Sequence, residues 1–591
     1  MKNIKKYIVV IILIWSFNIR LTYSQSETFE NAAFKAMQDQ IDKNLANLKL
    51  DKLKQPYYIG YLITDANLYS VRAELGSVIS TLDKPSRSLE TMVMVGNHKR
   101  NNLNFVNENL LRGWYGASFV IPLPLENNYE GISRTLWAAT DAVYKDVAEL
   151  MEEKLTAISQ QNLPQEEVNL IDLFDVPITN TIVPSQRLTF DKSKIEALTK
   201  ELSAVFLSYP ELADSGVSTY IFDADALFSS SEKIKYKVPF SLICIKIYGS
   251  TVAVDGEPLR DYINLYFKTL DQIPSIEILK KEVNQMALML MQLRKAPRIN
   301  GLYNGPVMFD GQAVGELIAQ CFVNNPNGLL ASRKPVFSNP DIQRRFSVPE
   351  ENSIEQFIGK KVISRDLSVS TFLNQKEYNK IPLIGYYELD AQGVVPEKNI
   401  KIIEDGVLKT LLTDRTPTLR SEKSTGNSCF AIARGGLSGR LSSGVIEVNT
   451  SVGKSYKELK DKLIAAAKDE DYEYAYIVRK MTGSGLIYRI SVKDGREELI
   501  RSANISDVTI KSFKKIIGAT SEKQVYNTLL WGRESYYSEW YSTTGWGFGL
   551  SGMPASFIIP EAIVFEELEI DKKKDIVLKK EPVVPNPLSS K

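Results

Sequence analysis

The sequence predicts an α+β protein whose first half mixes helices with strands and whose second half is β-rich. Three observations carry that expectation. Helical periodicity and strand-like runs alternate through residues 27–297. Beyond residue 324 helical patterns become rare and glycine-punctuated strands dominate. The chain of 591 residues is too long for one ordinary core, so at least two domains are expected. Its composition, 44% hydrophobic and 24% charged, excludes wholesale disorder.

Residues 1–24 read as a secretory signal. Lys2, Lys5 and Lys6 precede an apolar core, Tyr7 to Phe17, too short to span a bilayer, and Thr22 and Ser24 supply small side chains before Gln25. An uncleaved amino-terminal anchor is the alternative. No later segment reads as a transmembrane helix. Without the signal, 68 basic residues face 71 acidic ones, which leaves no electrostatic footprint for nucleic acid. Cys244, Cys321 and Cys429 are too few and too scattered for a disulfide framework. Cys244, in SLICIKI, and Cys321, on an apolar helix stripe, read as small core residues.

Taken in order, residues 27–50 carry helical spacing, and 57–81 suggest a strand meander turning at Asp65-Ala66-Asn67. His98 lies in the polar, turn-like VGNHKRNN and reads as a surface residue. Helices are expected from Ile132 to about Ser159, from Ser193 to Leu207 and from Ile276 to Leu293, with strands over Ser218–Val254. The methionine-rich end of the third helix reads as packing rather than a ligand surface. Lys295-Ala296-Pro297 marks the expected domain boundary.

The stretch GPVMFDGQAVGELIAQCFVNNPNGLLASR, residues 305–333, opens the second half. A short apolar run ends at Asp310, a candidate N-cap, and a helix is expected over 311–324. Ala313, Val314, Leu317, Ile318, Cys321 and Phe322 form its apolar stripe, and Gln312, Glu316, Gln320 and Asn324 a polar one facing a cleft or partner. Lys360–Val369 reads as a strand pair and residues 455–468 as a helix. Glu404-Asp405-Gly406 and Lys493-Asp494-Gly495 are hairpin turns, because glycine accepts positive φ. Gly435–Gly439 is glycine-rich but lacks the lysine and spacing of a P-loop. Residues 526–549 hold Trp531, Trp540 and Trp546 among tyrosines, suited either to a peptide or sugar groove or to packing over a sheet end.

Several of these runs together resemble the TldD/PmbA family of metallopeptidase-related proteins, also described as modulators of DNA gyrase. They are the stretch at 305–333, the run GYYELDAQGVVPEKNIKIIEDGVLKTLLTDRTPT (385–418), Ser424-Thr425-Gly426-Asn427, and ASFIIP with EAIVFEELEI at 555–570. A weaker match is Ser70-Val71-Arg72-Ala73-Glu74. The resemblance implies an amino-terminal α/β sandwich-like domain (25–297), a mostly antiparallel β, barrel-like domain (298–570) and a basic, proline-containing tail (571–591). In zinc-binding members the helix carries H-E-x-x-x-H. Registered on Gly315-Glu316-Leu317-Ile318, that motif falls on Ala319, Gln320 and Asn324, none of which supplies an imidazole or anionic donor. The chain has one histidine, His98, and no cysteine after Cys429 where such relatives place a third ligand. Gln392 stands where the family commonly has a glutamate.

The resemblance therefore implies a chain of the metal-free type, with no catalytic residue, metal or cofactor of its own. Its implied partner is a TldD-like zinc-binding subunit, or itself as a dimer, acting on peptides. Glu316, Asp390, Gln392, Trp540 and Trp546 are the candidate cleft residues. Two other readings stand beside it: an enzyme with a displaced metal site built from carboxylates such as Asp310, Glu316, Asp390 or Glu404, and a stand-alone peptide- or sugar-binding protein.

Overall fold

The computed structural model describes residues 28–50, 52–108, 120–325, 327–346, 354–372, 375–505, 508–530, 549–574, 576–578 and 586–590. Helix α1 (Phe29–Asn47) starts at Thr28, whose hydroxyl accepts the Asn31 N–H. Two 19-residue strands follow, β1 (Pro56–Glu74) and β2 (Ser77–Val95). They are closed by Leu75 and Gly76 at φ 47° and 79°, the paired left-handed conformation of a two-residue hairpin. Then come α2 (Tyr129–Gln160), α3 (Lys192–Ala204), β3 (Asp214–Ser230), β4 (Lys235–Val252), β5 (Pro258–Phe267) and α4 (Ile276–Lys295).

These strands form one antiparallel sheet in the order β2-β1-β3-β4-β5, with short strands added beside β2 and β4. Both faces are covered. Ile59, Tyr61 and Ile63 pack on α1 and α2 residues such as Met37 and Leu136. On the opposite face Leu62, Ala66 and Leu68 meet Phe430, Ile432 and Leu437 from the second half of the chain. The expected turn at Asp65-Ala66-Asn67 is absent, and β1 runs straight through it. Asp65 sits opposite Arg87 and Asp225 in the ladder, and its carboxylate takes Arg87 Nε at 2.7 Å and Arg187 at 3.1 Å. Those ion pairs offset the poor strand propensity of the Asp-Ala-Asn triplet. His98 is only 29% exposed and not the expected surface residue, with Nε2 2.9 Å from Glu232 and Nδ1 2.5 Å from Asp175.

The second half opens with β6 (Tyr303–Asp310) and α5 (Gln312–Ile318), the latter continued by a π-helical turn over Ala319–Asn324. Next are β7 (Leu367–Thr371), β8 (Lys401–Glu404), β9 (Val407–Leu408), β10 (Ser428–Ala433), β11 (Gly436–Leu441) and β12 (Val445–Thr450). Helix α6 (Tyr456–Asp469) begins with a capping box in which Ser455 and Glu458 satisfy each other's backbone N–H. The chain closes with β13 (Tyr474–Lys480), β14 (Leu486–Ser491), β15 (Glu497–Ile500), β16 (Lys523–Leu530), β17 (Met553–Pro560) and β18 (Ala562–Lys572).

One sheet runs β9-β8-β7-β12-β17-β16 and the other β15-β14-β13-β6-β18, continued beyond β18 by shorter strands. All pairs are antiparallel except β12 with β17 and β13 with β6. The whole is a mixed α+β fold with a curled, half-barrel sheet. Among the described residues no helix is long and apolar enough to cross a membrane. Lys360–Val369 does not form the expected strand pair. Only β7 is regular there, and the chain turns just before it, with the Leu367 N–H bonded to the Ser364 carbonyl. Gly435 is likewise no phosphate loop: with Arg434 it closes the β10–β11 hairpin at φ 50° and 78°.

Both sequence-predicted acidic-glycine hairpins are present. Asp405 and Gly406 join β8 to β9 at φ 47° and 76°, and Gly495 turns β14 into β15 at φ 70°. A Cβ at Gly406 would also lie 2.6 Å from the Ile363 carbonyl and 2.7 Å from that of Ser364. Gly406→Val is therefore expected to cost more than the roughly 1 kcal/mol of an ordinary incompatible glycine replacement. Thermal melts of that variant and of Gly495→Val, whose Cβ meets nothing within 4 Å, make the comparison. A smaller loss at 406 than at 495 contradicts the crowding argument.

Candidate functional site

Helix α5 lies over the β sheet because its sequence leaves one side free of polar bulk. Ala313, Val314, Leu317 and Ile318 are fully buried. Gly315 permits the closest approach, since a Cβ there would come within 2.2 Å of the Tyr526 ring on β16. The helix begins at Gly311 and not at an Asp310 cap. Asp310 ends β6 and points elsewhere, accepting the Tyr456 hydroxyl at 2.5 Å and Arg479 Nε at 3.3 Å. Burial pushes its carboxyl above the usual range, with Tyr456 and Arg479 pulling it back.

Glu316 departs furthest from expectation. Instead of facing a cleft it is 7% exposed. Its two oxygens accept Gln312 Nε2 (2.8 Å), the Met481 N–H (2.5 Å), the Thr482 N–H (3.3 Å) and the Thr482 hydroxyl (2.5 Å). Burial raises its pKa, against the pull of these donors. A carboxylate satisfied in this way is a structural tie between α5 and the end of β13.

The regular helix stops at Ile318, and the π-helical turn after it carries all three positions of the degenerate motif. π-Helical turns of this kind frequently accompany functional sites. Ala319 is buried, Gln320 is exposed and Asn324 is half-buried. Cys321, beside them, is buried with its Sγ 3.2 Å from the Val508 carbonyl, and burial raises its thiol to about 12. The site does not fit the family's zinc. Alanine has no donor atom, the two amides are weak neutral ligands, and the inert thiol points into the core. Among the described residues no group of three or more His, Cys, Asp or Glu side chains comes together in a way that could hold a metal ion.

The other candidate carboxylates do not converge on this turn. Asp390 is fully buried and accepts the N–H groups of Gln392 (2.9 Å), Val394 (2.8 Å) and Ser428 (3.2 Å), closing its own loop. Burial raises its pKa to about 7, and those donors oppose the shift. Glu404 stands on the exposed hairpin, salt-bridged to Lys401 and Lys409. Gln392 does not open onto a cleft through its carbonyl, which accepts the Arg415 N–H at 3.1 Å. Trp540 and Trp546 lie outside the described residues.

Sequence reasoning matched Leu412–Arg415 and Ser424–Asn427 without finding what they do. Thr413 and Thr425 bond each other through backbone and hydroxyl groups, and Thr425 also donates to Asn427. Arg415, 2% exposed, reaches into the first half of the chain. Its guanidinium forms a two-pronged pair with Glu232 (2.6 and 2.9 Å) and donates twice to the Phe174 carbonyl (3.0 and 2.8 Å). Beside it, a cleft of about 300 Å³ opens between the halves, lined by Asn104, Asn324, Asn325, Arg333, Asp414 and Ser442 among others. Asn324, the second ligand position of the degenerate motif, is therefore a cleft residue.

A β-rich carboxy-terminal half with a short helix and π turn laid over its sheet defines a metallopeptidase-related fold. Residues 303–571 match the family described as the PmbA/TldA metallopeptidase C-terminal domain. Over this carboxy-terminal part the chain matches the TldD/PmbA family. Among solved structures it is similar to a candidate modulator of DNA gyrase from Thermotoga maritima MSB8 (TM-score 0.56, 13% identity, covering 92% of this chain and 100% of that one). It is also similar to TldE from Thermococcus kodakarensis (0.52, 10%, 91% and 100%) and to a candidate modulator of DNA gyrase from Bacteroides thetaiotaomicron VPI-5482 (0.54, 12%, 92% and 98%). At these identities the likeness is one of fold. No curated protein matches the sequence.

Proposed function

We propose that this chain is the non-zinc-binding subunit of an exported TldD-like metallopeptidase complex that acts on peptides. The observation that carries the reading is the replacement of the H-E-x-x-x-H positions by Ala319, Gln320 and Asn324 on an otherwise intact helix and turn. Two candidate carboxylates close to the motif in sequence support it, because Glu316 and Asp310 are each engaged by several donors and give up no open coordination position. The basic-then-apolar segment over residues 1–24 supports export. The partner it implies is a zinc-binding TldD-like chain, and a dimer of this chain is the simpler alternative.

Purification from the native cell envelope, with zinc analysis of each subunit, tests the proposal. This chain is expected to hold no stoichiometric zinc and to leave casein uncut alone. It is expected to copurify with a chain carrying H-E-x-x-x-H and about one zinc. About one zinc in this chain, lost on altering Gln320 or Asn324, sinks the reading.

A further inference from the structure

The cleft between the two halves has an uneven distribution of charge partners. On one wall Arg333 is already occupied, its guanidinium bonded to the Ile171 carbonyl and to Asp172 at 2.8 Å. Asp172 is shared with the fully buried Lys154, whose Nζ lies 2.7 Å from it. That cluster takes up two of the Arg333 donors and balances its charge on Asp172. On the other wall Asp414 accepts the Thr416 N–H at 2.7 Å and has the Thr416 hydroxyl beside it, and no basic side chain forms an ion pair with it among the described residues. Its neighbour Arg415 is turned away to Glu232. Asn324 lines the same cleft, and its side-chain amide makes no hydrogen bond among the described residues.

An unpaired, partly buried carboxylate is costly unless a cation meets it. A free asparagine amide presents one acceptor and two donors, the complement of a peptide group. The cleft's volume, about 300 Å³, lies at the small end for ligand sites, which suits a chain end rather than a long segment. We infer that this cleft binds the free amino terminus of a peptide, with the ammonium on Asp414 and the first peptide group on the Asn324 amide. At the place where a zinc-binding relative would hold metal, this chain holds a peptide end without cutting it. The inference rests on the peptide-handling reading above. It predicts weaker binding at low pH, because burial already holds the Asp414 carboxyl above its usual range and protonation removes the ammonium's partner.

Calorimetry with the purified protein and three forms of trialanine tests it: unmodified, N-acetylated and C-amidated. N-acetylation is expected to lower affinity at least tenfold, and C-amidation to change it less than twofold. Asp414→Asn, which preserves shape and the Thr416 contact, is expected to lose the preference for a free amine, with its melt checked against the parent. The acetylation comparison on the parent protein stands even if that variant folds poorly. Equal binding of the acetylated peptide overturns the inference, as does no binding of the unmodified one. Sensitivity to C-amidation instead overturns it in favour of Arg333 as the anchor. None of these outcomes bears on zinc content or on the copurifying subunit, so the subunit proposal stands or falls separately.

Discussion

Leu317→Asp is expected to abolish folding of the carboxy-terminal half. Leu317 has no exposed surface and sits in the largest core cluster of the molecule, together with Phe309, Phe322, Phe513 and Phe557. The substitution removes a buried leucine, worth about 2–5 kcal/mol in comparable cores. It also places a carboxylate where no donor is waiting, at a further cost of several kcal/mol. The sum is comparable with the whole stability of a typical domain, roughly 5–15 kcal/mol. Gln320→Ala on the exposed side of the same turn is the control, with an expected change of about 0.5 kcal/mol or less. Soluble expression and thermal melts read both. A Leu317→Asp protein melting within a few degrees of the parent would show that α5 does not pack as described.

Arg415→Ala is expected to be the next most damaging change, through a different cause. The guanidinium satisfies both oxygens of Glu232 and the Phe174 carbonyl while almost wholly buried. Truncation leaves the Phe174 carbonyl without these donors and Glu232 with only His98 beside it. Breaking one side of a buried pair costs about 3–5 kcal/mol, mostly from the charge left behind. Arg415→Lys should recover little, because an ammonium cannot reproduce the two-pronged fork plus the carbonyl contacts. Adding Glu232→Gln to Arg415→Ala should give back part of the loss, since the stranded partner is then neutral. Urea unfolding of the single and double variants measures this coupling, and strictly additive losses would refute it.

Much of the local structure was legible in the sequence. The Glu404-Asp405-Gly406 and Lys493-Asp494-Gly495 turns, the helix after Ser455 and the core role of Cys244 and Cys321 all followed from residues close together in the chain. So did the resemblance that led to the family. Three of the errors share one form. Polarity alone makes Asp65 read as a turn residue and Glu316 as a cleft residue. Asp310 reads as a cap because it precedes a helix, yet Tyr456 and Arg479 hold its carboxylate.

What the sequence determined alone was backbone preference and chemical capacity. Glycine sets where φ turns positive, a serine–glutamate pair sets where a helix starts, and one histidine in 591 residues rules out a two-histidine zinc site. The tertiary structure decided which polar side chains face solvent and which are tied inside. Asp65 meets Arg87 across the hairpin and Arg187 from a distant loop, Glu316 meets Met481 and Thr482, and Arg415 meets Glu232 across the junction. The physical reason is that a charge is buried only where a partner waits to replace its water, and those partners lie from tens to nearly two hundred residues away along the chain.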